Sequence, residues 1–208
     1  MNLANRLTLL RVILVPVFVV FMAIDTFWTS IFALLIFIGA SITDYYDGVI
    51  ARQQNTITTF GIFLDPLADK LLVTSAFVSF VAIPELRIPA WMVITIIARE
   101  FIITGLRSLG ASKNVIIPAS IFGKFKTTSQ ITAIITILVI LVAEAGAAKF
   151  LKITQYDLLE MTGGWQYILG WLLINLPYWL MFVVTILTVY SGINYILQHK
   201  DVFRDSQK

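Results

Sequence analysis

Long apolar runs separated by short polar stretches dominate this chain. A helix needs roughly 20 apolar residues to cross the hydrocarbon core of a bilayer. Windows of about this length run over 8–24, 30–51, 60–82, 90–108, 127–143 and 168–197. The first window has no small-residue cleavage site after it, so we expect it to be retained and not removed as a signal peptide. The pattern predicts an all-α integral membrane protein with six transmembrane helices, forming a single domain over 1–208.

The composition supports a membrane protein and excludes several kinds of site. Of the 208 residues, 59% are hydrophobic and 13% are charged, which is too little polar surface to cover a soluble globule. The chain has no cysteine, and its one histidine, His199, lies in the polar tail. Disulfides, thiolate metal sites and histidine-rich zinc sites are therefore excluded. The formal net charge of +3 is too small to indicate a nucleic-acid partner, and membrane lipids are the expected surroundings.

The distribution of Lys and Arg predicts the orientation in the membrane. Six spans place both termini on one side, and ten Lys or Arg residues fall on that side against three on the other. Because cytoplasmic loops carry the excess of positive charge, both termini are expected in the cytoplasm.

Four aspartates lie where the predicted second span ends and the third begins: Asp44, Asp47, Asp65 and Asp69. A charged side chain at the centre of a membrane helix costs about 2.5–3.5 kcal/mol, so each one requires an explanation. Spacings of three and four residues place each pair on one helical face. Two antiparallel helices joined by a short loop would bring the pairs together at one depth, close to the cytoplasmic surface.

Converging carboxylates without His or Cys favour a hard cation such as Mg²⁺, Mn²⁺ or Ca²⁺. One alternative is that the aspartates only neutralise Arg52, Lys70 or Arg99. Another is that they form the ion pathway of a proton or cation transporter. Gly48 and Gly61 lie beside the carboxylates and leave room for a bulky ligand near the backbone, which favours an enzyme over a transporter.

These residues together spell D-x2-D-G-x2-A-R-x8-G-x3-D-x3-D, which resembles the signature of the CDP-alcohol phosphatidyltransferase family. The matching positions are Asp44, Asp47, Gly48, Ala51, Arg52, Gly61, Asp65 and Asp69. The resemblance implies transfer of a phosphatidyl group from a CDP-linked lipid to an alcohol, with release of CMP. It further implies two Mg²⁺ or Mn²⁺ ions held by the four aspartates, with Asp69 also acting as the general base. By the same resemblance, the remaining motif residues would bind the CDP-diacylglycerol.

Four cations on the cytoplasmic side indicate the acceptor: Arg99, Arg107, Lys124 and Lys126. Arg99 and Arg107 are separated by about two helical turns and so share a face. Such a cluster beside an acidic metal site suits an acceptor that carries a phosphate. Glu100 is expected to point around the helix, away from Arg99. For Arg107 and the two lysines, the positive-inside rule is the alternative explanation.

Three segments look like those of the bacterial phosphatidylglycerophosphate synthases of this family: IAREFIITGLR, GKFKTTSQ and the N-terminal NLANRLTLLRVILVPVF. This likeness implies that the acceptor is sn-glycerol 3-phosphate, with inositol phosphate as the alternative. It also implies an N-terminal interfacial segment, in which Asn5, Thr8 and Arg11 line the nucleotide side of the pocket. Arg11 could instead reach toward the lipid headgroups. A homodimer in the bacterial cytoplasmic membrane, with its active site facing the cytoplasm, is expected from the same resemblance.

Overall fold

The structure is a computed structural model that describes residues 3–54, 59–112, 121–160 and 164–198. Within these ranges, some side chains lie outside the description: 3–8, 44–54, 59–67, 69, 111–112, 121–122 and 124.

Six long helices account for most of the described chain: α1 (Leu3–Ala23), α2 (Phe27–Gln54), α3 (Thr59–Val81), α4 (Ala90–Ser112), α5 (Ile121–Gly146) and α7 (Trp165–Gln198). A short helix, α6 (Gln155–Glu160), lies between the last two. The described residues include no strand, so the all-α class is confirmed. Each long helix contains all but at most one residue of one predicted apolar window. α1 runs without a break from Leu3, so the predicted interfacial segment is part of the same helix as the apolar window that follows it.

Two of these helices are long and apolar enough to cross a membrane, as judged from the residues with described side chains. One covers Phe125–Leu151, because a π-helical turn over Ala147–Leu151 continues α5, and the other covers Trp165–Gln198. Their mean hydropathies are 2.3 and 2.0. Shorter apolar stretches occupy Leu9–Ala23, Phe27–Thr43 and Lys70–Val81. Membrane-length helices are therefore present, and the full count of six spans stays a prediction.

The surface of the bundle is strongly apolar. Val20, Ile94 and Ile168 are each more than half exposed, and many other large apolar side chains are exposed with them. Water-soluble proteins rarely expose apolar surface on this scale, whereas lipid tails solvate it without penalty. Together with the composition, this surface indicates a membrane-embedded protein.

The long helices share one hydrophobic core. α1 packs on α2 and α3, α5 contacts α2, α3 and α7, and α4 contacts α3 and α7. Fully buried side chains from different helices meet inside, among them Phe18, Phe37, Phe77, Ile137 and Met181. The rings of Phe18 and Phe37 lie 5.9 Å apart between centroids. Because tight packing fixes each helix against several others, side chains on different helices can be held in register.

The connection between α5 and α7 contains the short helix α6, which sequence analysis did not predict. The Thr154 backbone N–H donates to Asp157 Oδ2 at 2.6 Å, and the Asp157 N–H donates to Thr154 Oγ1 at 3.3 Å. This reciprocal capping begins the helix. The hydrogen bonds from the Thr154 backbone and hydroxyl lower the pKa of Asp157. A Cβ on Gly170 of α7 would come within 2.9 Å of Leu158, so α6 lies tightly against α7.

Candidate functional site

The aspartate motif lies on two consecutive helices, as its spacing predicts. Asp44 and Asp47 are in the last turns of α2, which ends at Gln54. Asp65 and Asp69 are in the first turns of α3, which begins at Thr59. The connecting residues 55–58 lie outside the described chain. The two motif segments are thus helical and lie on either side of a short connection.

The side chains of the aspartates lie outside the described residues, as do those of Ala51 and Arg52; of Gly48 and Gly61, only the helical backbone is described. Their convergence around a cation therefore stays a prediction. Among the side chains that are described, no group of three carboxylates or imidazoles could hold a metal ion. The four motif aspartates remain the predicted donors for a divalent cation.

Lys70 connects the motif helix to α4. It directly follows Asp69 in the sequence, and its Nζ donates a hydrogen bond to Thr104 Oγ1. The Thr104 hydroxyl in turn donates to the Glu100 carbonyl at 2.7 Å. The end of the aspartate motif therefore lies beside the part of α4 that carries Arg99 and Glu100.

Glu100 forms ion pairs with two of the cations that are predicted to bind the acceptor phosphate. Its Oε1 lies 3.1 Å from Arg99 Nη1 and also pairs with Lys126 Nζ of α5. The expectation that Glu100 points away from Arg99 is therefore wrong. Neighbouring side chains on a helix diverge at Cβ, but both are long enough to bend back. Lys126 is 6% exposed and Arg99 12%. In this weakly hydrated region an unpaired charge would be costly, and Glu100 supplies a counter-charge to both cations.

Arg99 and Arg107 both face α7. Arg99 Nη2 donates to Ser191 Oγ at 2.9 Å, and Arg107 Cζ lies 5.6 Å from the centroid of the Tyr195 ring. The prediction that the two arginines share a helical face is therefore confirmed. Arg107 is exposed whereas Arg99 is largely buried. The side chain of Lys124 lies outside the described residues.

A small cavity of about 50 Å³ lies between α3, α4 and α5. Its polar lining is formed by Lys70, Thr74, Glu100, Lys126, Thr127 and Gln130. Buried Gln130 donates to Thr188 Oγ1 of α7 at 3.5 Å. This polar chamber has cationic and anionic walls, and α3, the helix that bears Asp65 and Asp69, forms one side of it.

The N-terminal candidates are only partly described. Arg11 is 2% exposed, so its side chain lies inside the bundle and does not extend to lipid headgroups. The side chains of Asn5 and Thr8 are outside the described residues. The role of all three at the nucleotide stays a prediction.

Sequence reasoning missed several polar contacts of this site. Lys70 was considered only as a counter-ion of the aspartates, and Thr104, Gln130 and Ser191 received no role. Polar residues inside apolar helices are costly unless they have partners. That rule could have identified Gln130 and Ser191 as inward-facing, but not that their partners are Thr188 and Arg99.

Comparisons with known proteins agree with the motif. The model of the family described as CDP-alcohol phosphatidyltransferase matches residues 1–190. A protein of Bacillus subtilis strain 168, named CDP-diacylglycerol–glycerol-3-phosphate 3-phosphatidyltransferase, is 42% identical over 149 residues, which are 66% of this chain and 76% of the relative. A protein of Escherichia coli K12 with the same name is 42% identical over 138 residues, 64% of this chain and 74% of the relative. The chain belongs to the CDP-alcohol phosphatidyltransferase family.

Proposed function

We propose that this protein transfers the phosphatidyl group of CDP-diacylglycerol to sn-glycerol 3-phosphate, giving phosphatidylglycerol phosphate and CMP. Family membership and the names of the relatives support this reaction. The observation within the structure that carries it is the link from Lys70 to Thr104, because it puts a cation-lined chamber next to the aspartate motif. A donor site and a phosphate-binding acceptor site must adjoin for direct transfer.

The aspartate motif is proposed to bind the donor. Asp44, Asp47, Asp65 and Asp69 would hold two Mg²⁺ or Mn²⁺ ions, which when bound neutralise the pyrophosphate oxygens. Gly48, Ala51, Arg52 and Gly61, together with Asn5, Thr8 and Arg11, would surround the cytidine diphosphate. The carboxyl-only composition of the motif is the donor set that such hard cations prefer.

The acceptor step needs a general base and a site that binds the acceptor phosphate. Asp69 would take the proton from the attacking hydroxyl of glycerol 3-phosphate. The hydroxyl oxygen forms a bond to the phosphorus of the phosphatidyl group. As this bond forms, the bond from the same phosphorus to the bridging oxygen breaks, and CMP leaves with that oxygen. Arg99, Arg107, Lys124 and Lys126 would hold the acceptor's own phosphate. The contacts of Arg99 and Lys126 to Glu100 hold both cations in place before the acceptor arrives.

Acceptor specificity gives the direct test of this function. Purified protein supplied with CDP-diacylglycerol and Mg²⁺ should release CMP with glycerol 3-phosphate, and far less with inositol phosphate or serine. Chelation by EDTA should abolish the release, and Mg²⁺ or Mn²⁺ should restore it. Robust release with inositol phosphate alone would reassign the acceptor. Ion flux in proteoliposomes without any CMP release would instead support the transporter.

The protein is proposed to cross the bacterial cytoplasmic membrane six times as a homodimer, with both termini and the active site on the cytoplasmic side. The excess of Lys and Arg on the terminus side supports this orientation. The active site would then face the cytoplasm, the compartment in which both substrates are made.

Single cysteines can test this topology, because the native chain has none. Thr56→Cys, between the two motif helices, and Ser206→Cys, in the tail, should resist an impermeant thiol reagent applied to intact cells. Glu160→Cys on α6 is exposed and predicted to face outward, so it should be labelled. Labelling of Thr56→Cys from outside would invert the proposed orientation.

A further inference from the structure

We propose that three residues of α7, Ser191, Gly192 and Tyr195, are positioning residues that aim the two arginines at the acceptor phosphate. We call them the α7 seat. The inference rests on the proposed function, and it adds residues that lie outside the aspartate motif and outside the four predicted cations. It makes α7 a determinant of acceptor affinity.

The α7 seat is a buried face of a mostly apolar helix. Ser191 and Tyr195 are each 2% exposed, and Gly192 is also buried. Tyr195 lies four residues after Ser191 and three after Gly192, so it neighbours both on the helix surface. On the opposite side, Ile193 and Leu197 are exposed. A serine hydroxyl turned into the bundle, away from lipid, indicates a polar partner inside.

That partner is Arg99. Ser191 Oγ accepts a hydrogen bond from Arg99 Nη2 at 2.9 Å, while Nη1 contacts Glu100. The guanidinium is planar, so two contacts at different nitrogens fix both its position and the direction of its plane. α7 and Glu100 therefore determine together how Arg99 presents its donors.

Gly192 supplies the space that this orientation needs. A Cβ at this position would lie 2.9 Å from Arg99 Cγ and 3.3 Å from Arg99 Nε. The closer of these distances is below any normal carbon–carbon contact, so a methyl group would displace the Arg99 stem. The helix has an ordinary conformation at Gly192, since the only glycine with positive φ in the described chain is Gly164. Close approach of Arg99, and not backbone conformation, is the reason for glycine here.

Tyr195 extends the same arrangement to the second arginine. The Arg107 guanidinium carbon lies 5.6 Å from the centre of the Tyr195 ring, within the range of a cation–π interaction. Because the ring is buried, it is a fixed platform for an arginine that is itself exposed. The α7 seat thus contacts both arginines, one through a hydroxyl and one through a ring.

Gly192→Ala is the most informative variant. The KM for glycerol 3-phosphate should rise roughly tenfold, since displacement of Arg99 would weaken its charge-assisted contact to the phosphate. Ser191→Ala should raise the same KM by roughly three- to tenfold. The KM for CDP-diacylglycerol should stay within about twofold for both. Gly39→Ala is the matched control, because Gly39 is a helical glycine with nothing within 4 Å of an added Cβ.

A double-mutant cycle separates positioning from simple helix packing. If Gly192 acts through Arg99, adding Gly192→Ala to Arg99→Ala should cause no further increase in the glycerol 3-phosphate KM. Additive losses, or equal changes in both Michaelis constants, would overturn the inference. Direct titration of glycerol 3-phosphate provides the same comparison if a variant turns over poorly. Failure of the wild-type protein to release CMP with glycerol 3-phosphate would instead reject the proposed function itself.

Discussion

Asp69→Asn is expected to lower turnover by about 10²- to 10⁴-fold, the usual effect of removing a general base. An amide cannot accept the proton of the attacking hydroxyl, so the substitution should lower kcat. The affinity for CDP-diacylglycerol should fall less than in Asp44→Asn, because Asp44 is proposed to anchor the donor whereas Asp69 mainly serves the acceptor. Turnover with saturating substrates and binding of CDP-diacylglycerol are the two measurements.

Asp25→Asn is the matched control for this pair. It is the same chemical change at an exposed aspartate in the turn between α1 and α2, on the predicted outer side. It should leave both quantities unchanged. Near-normal turnover of Asp69→Asn would show that another group removes the proton. Equal loss of donor affinity in the two motif variants would show that Asp69 holds the donor as strongly as Asp44 does.

Arg99→Ala and Lys126→Ala should each raise the KM for glycerol 3-phosphate by roughly ten- to more than a hundredfold. One charge-assisted contact to a phosphate contributes about 1.5–3 kcal/mol, and each 1.4 kcal/mol is a factor of ten. Both side chains are largely buried, so water and salt screen them little. The KM for CDP-diacylglycerol should change much less, since the two substrates are proposed to lie on different sides of the metals.

The exposure of each cation predicts which substitution has the larger effect. Arg107 is exposed and therefore more screened, so Arg107→Ala should have a smaller effect than Arg99→Ala. Arg99→Lys should already be impaired, because an ammonium cannot contact Ser191 and Glu100 with the geometry of a planar guanidinium. Arg99→Lys retains the positive charge. It therefore keeps the test valid if Arg99→Ala fails to fold.

Arg87→Asn is the control for removal of a cation on the predicted outer side. Arg87 has φ of 52°, and asparagine tolerates this left-handed conformation better than most residues. Both Michaelis constants should stay at their wild-type values. If the variants of Arg99, Arg107 and Lys126 also leave the glycerol 3-phosphate KM unchanged, these cations serve only to orient the protein in the membrane.

Helix formation was largely predictable from the sequence. The apolar window over 168–197 nearly coincides with α7 (Trp165–Gln198), and 60–82 with α3 (Thr59–Val81). Long apolar runs have one way to satisfy their backbone in a membrane, which is a helix. The short helix α6 could not be found this way, because its start depends on a local hydrogen-bonding exchange between Thr154 and Asp157 and not on apolar periodicity.

For the site, the sequence by itself determined which residues are candidates for the chemistry. The fixed spacing of carboxylates and glycines over 44–69 resembles the family signature, and the match of the family model over residues 1–190 confirms the family. The tertiary structure decided how the acceptor cations are arranged. Helical geometry alone predicted that Glu100 points away from Arg99. In the structure, α4 and α5 both pack against α7, and Lys126, Glu100, Arg99 and Ser191 lie together there. Contacts between helices distant in sequence depend on packing that no local pattern encodes.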